Sequence, residues 1–163
     1  MEIVFQKALL VFVIIGLFTF GVLANEYPNL RLNHIDKEYE DELELINESK
    51  NFTTQSYIEL EFKYARLWDV ELNSIYKKLL SVLEKEEQSL LREAQRGWLQ
   101  FHEKETEFYF RVFYGRSSGP VLGSLGRMQE ALKYKERIRQ RTFELMMYYY
   151  NLGNDTTFEY EKR

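Results

Sequence analysis

The chain contains no cysteine. Disulfides, zinc–thiolate sites and thiol nucleophiles are therefore excluded. Histidine and proline are scarce at two residues each, so an imidazole-rich metal site has almost no material. A basic excess is lacking as well: 22 Lys and Arg stand against 26 Asp and Glu, a formal charge of −4. That balance is not one of a nucleic-acid-binding protein. No segment alternates apolar and polar residues as a half-buried strand would, and no internal repeat is found. After the first 24 residues there is no long uninterrupted apolar run.

What is present begins with residues 8–24, ALLVFVIIGLFTFGVLA, which carry no charge. Lys7 precedes them, and Val22-Leu23-Ala24 supplies small residues where a signal peptidase reads. The run falls short of the ~20 apolar residues that span a bilayer. Residues 1–24 therefore read as a signal peptide cleaved after Ala24. The alternative is an uncleaved membrane anchor. Both readings put the remainder in the periplasm or outside the cell. Loss of 1–24 removes one acid, Glu2, and one base, Lys7, so the charge is unchanged. An exported chain without disulfides must rely on its core. It has the material: 12 Tyr, 12 Phe and 2 Trp, each able to bury a large apolar area.

Residues 25–52 form an acidic N-terminal segment. Within it Ile35, Tyr39, Leu43 and Ile46 recur at helical spacing, predicting a short amphipathic helix over 35–47. Residues 53–153 form the helical domain, and 154–163 a frayed tail. Thr53 is placed to cap a helix running to about residue 83. Its seam is Ile58, Ala65, Leu72 and Leu79 with Trp68, Ile75 and Val82, a heptad pattern. A second helix spans about 86–113, with Leu91, Ala94, Trp98, Phe101, Phe108 and Val112 as its expected seam and Glu105 as an exception. Tyr114 to Gly119 breaks the pattern, and Pro120 suits the first position of a third helix. Ala131, Ile138, Leu145 and Leu152 carry that helix to a stop at Gly153. The fold class is all-α: an antiparallel bundle of about three long helices behind a cleavable signal peptide and a short acidic segment.

Specific residues then match a family. Asp69, Leu72, Asn73 and Tyr76 form an Asp-x-x-Leu-Asn-x-x-Tyr stretch. Leu91, Gln95 and Trp98 follow, then Gly115, Ser117 and Pro120 in a turn, then Arg141 and Leu145. In that order, over about 54–147, the chain resembles the lysozyme-inhibitor LprI-like N-terminal domain family. The resemblance implies a secreted or periplasmic helical domain, with these twelve residues mainly structural. It also implies cysteines near Leu60 and Thr106, which this chain lacks, and an Arg-Asp pair where His102-Glu103 stands. The stretch from Pro120 to Arg141 is about one heptad longer than the family's.

Catalytic chemistry finds little support. His102 and Glu105 have one-face helical spacing, but no third metal ligand is in view. Glu103, Glu105 and Glu107 diverge around a helix, unlike a facing carboxyl pair. GRSSG (115–119) follows no strand, so it is a turn and not a nucleophile elbow. Asn73 and Gln95 are expected to bond across the bundle, and Trp68 and Trp98 to lie in its core. Lys133, Arg137 and Arg141 share a helix face, to be solvated or to receive the acidic segment. No catalytic residue, cofactor or metal is expected. The expected partner is a protein, in the family's case a lysozyme. Nucleic acid is not expected, and a membrane only through an uncleaved leader. The candidate partner-binding residues are Asp36, Glu38, Glu40, Asp41, Glu42 and Glu44, because opposite charge speeds encounter with a cationic lysozyme. The alternative function is a structural, accessory or immunity-like periplasmic protein that binds another protein.

Overall fold

The computed structural model describes residues 33–48 and 52–160, and the leader expected at 1–24 lies outside them. Four helices follow in order: α1 (His34–Glu48), α2 (Thr54–Val82), α3 (Lys85–Phe113) and α4 (Ser124–Asn151). No strand occurs among the described residues. The fold is all-α, and the acidic segment supplies the short helix expected over 35–47 ahead of the three long ones.

Local chemistry sets the boundaries of α2 and α3. Thr53 Oγ1 accepts the Ser56 N–H at 3.0 Å, and Ser56 Oγ accepts the Thr53 N–H at 3.1 Å. This reciprocal box satisfies donors that a helix start leaves open. At the far end Leu83 turns extended. The Glu87 carboxylate then accepts the Glu84 N–H at 2.9 Å, and the Gln88 amide donates to Leu83 O at 3.0 Å. The reversal from α2 to α3 needs only Leu83 and Glu84. Pro120 does not open α4. Residues 120–123 stay non-helical, and the helix starts at Ser124 behind Gly123. Gly126 explains the tight entry: a Cβ there would lie 2.5 Å from Leu122 Cβ and 2.6 Å from the Tyr114 hydroxyl.

Pairwise contacts give the directions. Glu61 meets Lys135, and Trp68 meets Phe143. Both numbers rise together, so α2 and α4 run parallel. Gln95 meets Arg141, His102 meets Arg137, and Tyr109 meets Gly126. One number falls as the other rises, so α3 is antiparallel to α4. The core lies mainly between α2 and α4. Tyr64, Trp68, Leu79, Leu145 and Met146 are each at most 1 % exposed. The α2 seam is close to the heptad reading, except that Val82, at 43 % exposed, escapes it.

The α3 seam needs correction. Its buried residues are Leu91, Gln95, His102 and Tyr109. Phe101 and Phe108, expected in the seam, are 53 % and 58 % exposed, and Ala94 is exposed as well. The face presented to α4 is rotated by about one residue, or ~100°. Hydrogen bonds decide the rotation. Gln95, His102 and Tyr109 all find polar partners on α4, which Ala94, Phe101 and Phe108 cannot do. Trp98 is half-buried and stacks on His102, with ring centroids 5.2 Å apart.

The tail also departs from expectation through residue 160. Phe158 is buried against Trp68. The Glu71 carboxylate, itself buried, accepts the N–H of Glu159 at 2.9 Å and that of Tyr160 at 2.7 Å. An anionic acceptor for two adjacent backbone donors replaces fraying with a clamp.

Candidate partner-binding surface

The six acidic positions of α1 separate into two groups. Asp36 holds Arg139 in a bidentate pair, Nε to Oδ1 at 2.9 Å and Nη2 to Oδ2 at 2.6 Å. Burial works against the Arg139 charge, but the Asp36 hydrogen bonds and charge outweigh it and raise its pKa. Glu42 pairs with Lys63, and Glu38 accepts the Tyr160 hydroxyl. Those three carboxylates tie α1 to α2, α4 and the tail. Glu40, Asp41 and Glu44 are exposed. With Glu48 they follow the spacing that places residues on one helix face. Leu45 sits beside them at 68 % exposed. The outer edge of α1 is therefore an acidic ridge with one apolar side chain on it.

Beneath α1 lies a buried polar cluster. The Tyr39 hydroxyl donates to Glu61 Oε1 at 2.6 Å. Glu61 Oε2 lies 3.0 Å from Lys135 Nζ, and both residues are at most 2 % exposed. Lys135 Nζ also lies 3.3 Å from the centre of the Tyr39 ring. Burial, followed by the Glu61 hydrogen bond, raises the Tyr39 pKa. The Tyr57 hydroxyl, near the same carboxylate, is pushed up to about 12, again mainly by burial. Every one of these groups has a structural partner, and together they fasten α1 over the α2–α4 contact.

A second polar layer joins α3 to α4. Arg141 donates from Nε to Gln95 Oε1 at 3.0 Å and from Nη1 to Glu144 Oε2 at 2.5 Å. Arg137 donates from Nε to His102 Nδ1 at 3.3 Å, and from Nη2 to Thr106 Oγ1 at 2.8 Å and Glu130 Oε1 at 2.9 Å. Because His102 Nδ1 accepts, the ring proton belongs on Nε2. Burial and then the Arg137 charge push the His102 pKa down from 6.5 to about 4. Glu105 is exposed and does not join His102, and no metal-competent group of three or more ligands occurs among the described residues.

The twelve motif residues take mixed positions. Gln95 and Arg141 meet directly, and Leu72, Leu91 and Leu145 are buried. Asn73 does not bond across the bundle. Its amide donates to Asp69 O at 2.8 Å and Asp69 Oδ2 at 3.1 Å, within α2 and exposed. The Asp69 pKa is raised by burial, an effect its bond to Asn73 opposes. Tyr76 and Trp98 are half-buried, and Gly115, Ser117 and Pro120 lie exposed in the α3–α4 connection. Four basic residues of α4, Lys135, Arg137, Arg139 and Arg141, each engage a carboxylate, whereas Lys133 is exposed.

Two further surface features stand apart from the acidic ridge. A groove of about 300 Å³ opens where α3 diverges from α2, lined by Leu79, Leu83, Leu91, Tyr148, Asn151 and Leu152. The outward stripe of α3 is the other: Ala94, Phe101 and Phe108, expected in the seam, face the surface instead. No helix among the described residues is long and apolar enough to cross a membrane. The family model of lysozyme inhibitor LprI matches residues 47–145 of the chain. Comparison with curated proteins and with solved structures returns no match.

Proposed function

The chain belongs to the lysozyme inhibitor LprI family, and from that premise we propose that it is an exported, non-catalytic protein that binds a lysozyme and occludes its substrate cleft. The family match over residues 47–145 carries this reading. Export rests on the uncharged run at 8–24 and the small residues before Asn25. The contact surface proposed is the outer ridge of α1, with Glu40, Asp41 and Glu44 facing a cationic cleft and Leu45 entering it. Asp36, Glu38 and Glu42 hold the ridge in place from behind. Opposite charge accelerates such an encounter and makes it salt-dependent.

The ridge lies almost wholly before the matched span, so activity and surface are separable by experiment. A peptidoglycan suspension is cleared by a cationic animal-type lysozyme with and without the purified protein. Dose-dependent protection that weakens with added salt is the expected result. Absence of protection at large molar excess rejects the inhibitor reading and leaves the family membership as a statement of ancestry and fold. Reversal of Glu40, Asp41 and Glu44 to lysine is expected to remove protection while helicity is retained. Protection that survives the triple reversal moves the contact into residues 47–145.

A further inference from the structure

Helix α3 carries apolar residues on two neighbouring faces, and among the described residues only one packs against another helix. The outward stripe is Leu90, Ala94, Gly97, Phe101, Phe108 and Val112, stepping by threes, fours and one seven. Leu90 is 67 % exposed, Phe101 53 % and Phe108 58 %. A helix apolar on both sides is ordinarily covered on both sides, and the spacing is that of a helix–helix seam.

We infer that this stripe pairs with the same stripe on a second copy of the chain, antiparallel, with the two-fold axis at Phe101. A two-fold interface makes each contact twice. With Phe101 on the axis, the rings of the two copies meet. Phe108 of one copy then falls on Ala94 of the other, and Val112 on Leu90. The largest side chain away from the axis, Phe108, thus meets the smallest, Ala94, as close packing favours. Glu105, the charged interruption in the stripe, passes over Gly97. A Cβ added at Gly97 meets nothing within 4 Å, so the space for that crossing is open.

Charge agrees with the same register. Glu93 and Arg111 lie along one edge of the stripe, and the antiparallel pairing sets Glu93 of one copy beside Arg111 of the other. The Arg111 side chain is 81 % exposed and pairs with Glu107 of its own helix, at 3.3 Å. A parallel pairing is self-defeating. It stacks Phe108 on Phe108 while Ala94 on Ala94 leaves a gap, brings the two Glu105 carboxylates towards each other, and puts the Glu93–Arg111 edges of the two copies on opposite sides of the seam, where they cannot pair. The pairing does not depend on the lysozyme reading, since it is measured with no other protein present.

The test uses the full-length chain, purified as the cell leaves it. Light scattering after size exclusion, at rising concentration, is expected to give twice the chain mass. Phe108→Lys is expected to raise the dissociation constant by about tenfold or more, whereas Leu99→Lys, on another exposed side of α3, leaves it unchanged. Both positions are exposed, so circular dichroism should report the same helicity for each variant. Because the chain has no cysteine, single introduced thiols read the register directly. Phe101→Cys should link to itself on mild oxidation. Phe108→Cys should not, but should link to Ala94→Cys when the two variants are mixed. A single-chain mass at the highest concentration overturns the pairing. So does a dimer that Phe108→Lys leaves intact, or one in which Phe108→Cys links to itself as readily as Phe101→Cys.

Discussion

Acidification should destabilise this fold through one imidazole. His102 is 6 % exposed, stacked on Trp98, and accepts a hydrogen bond from Arg137 at Nδ1. A proton on Nδ1 would replace that bond with a donor facing a donor, beside a guanidinium charge. Its pKa therefore falls to about 4 in the folded chain, against 6.5 for the free group. Above pH 6.5 the ring is neutral in both states, and its contribution is complete. As the pH drops below 6.5, the unfolded chain takes up a proton that the folded chain refuses until about pH 4. Stability is lost across that window, and the loss levels off below it. By linkage the loss is about 2 kcal/mol at pH 5 and about 3 kcal/mol at pH 4. Carboxylates titrate in the same range, so the measurement is a double difference. Urea unfolding of the native chain and of His102→Gln is compared at pH 7 and pH 4, and the native chain should lose about 3 kcal/mol more than the variant. Nuclear magnetic resonance supplies the direct check. In a His34→Asn background the remaining imidazole should titrate with a midpoint near 4. A midpoint near 6.5, or equal losses in both proteins, would refute the reasoning.

Two further perturbations address the buried carboxylates. Glu71→Ala removes the acceptor of two backbone N–H groups. It should cost about 3 kcal/mol and leave the amides of Glu159 and Tyr160 unprotected in hydrogen exchange; retained protection would show that Phe158 alone holds the tail. Lys135→Met leaves Glu61 as a buried carboxylate without its cation and should cost about 3–5 kcal/mol, much of it recovered when Glu61→Leu is added. Urea midpoints of the two single variants and the double variant measure the coupling, and strict additivity would argue that the pair is not electrostatically joined.

Much of the architecture was legible in the chain itself. Capping chemistry at Thr53, heptad spacing from Ala65 to Leu79, and the break after Tyr114 follow from local rules of propensity and periodicity. They predict the helices, the nature of their connections and most of the α2 core. The motif residues pointed to the family for a related reason: Leu72, Leu91 and Leu145 are packing positions, and Gln95 with Arg141 is one contact written in two distant places.

Tertiary structure decided what periodicity leaves degenerate. Helix α3 has apolar residues on two neighbouring faces, and hydrophobicity alone favoured the one bearing Phe101 and Phe108. Hydrogen bonds from α4 to Gln95 and His102, and from Tyr109 to Gly126, selected the other. The same holds for the acidic segment. Six carboxylates look alike in sequence, yet Asp36, Glu38 and Glu42 have cationic or phenolic partners on distant elements, while Glu40, Asp41 and Glu44 are exposed at the surface. The tail looked free because Glu71, its anchor, precedes it by more than eighty residues. Local sequence specifies which residues a helix turns to the same side. Which side faces inward depends on partners far along the chain, because a buried polar group is tolerated only where another element satisfies it.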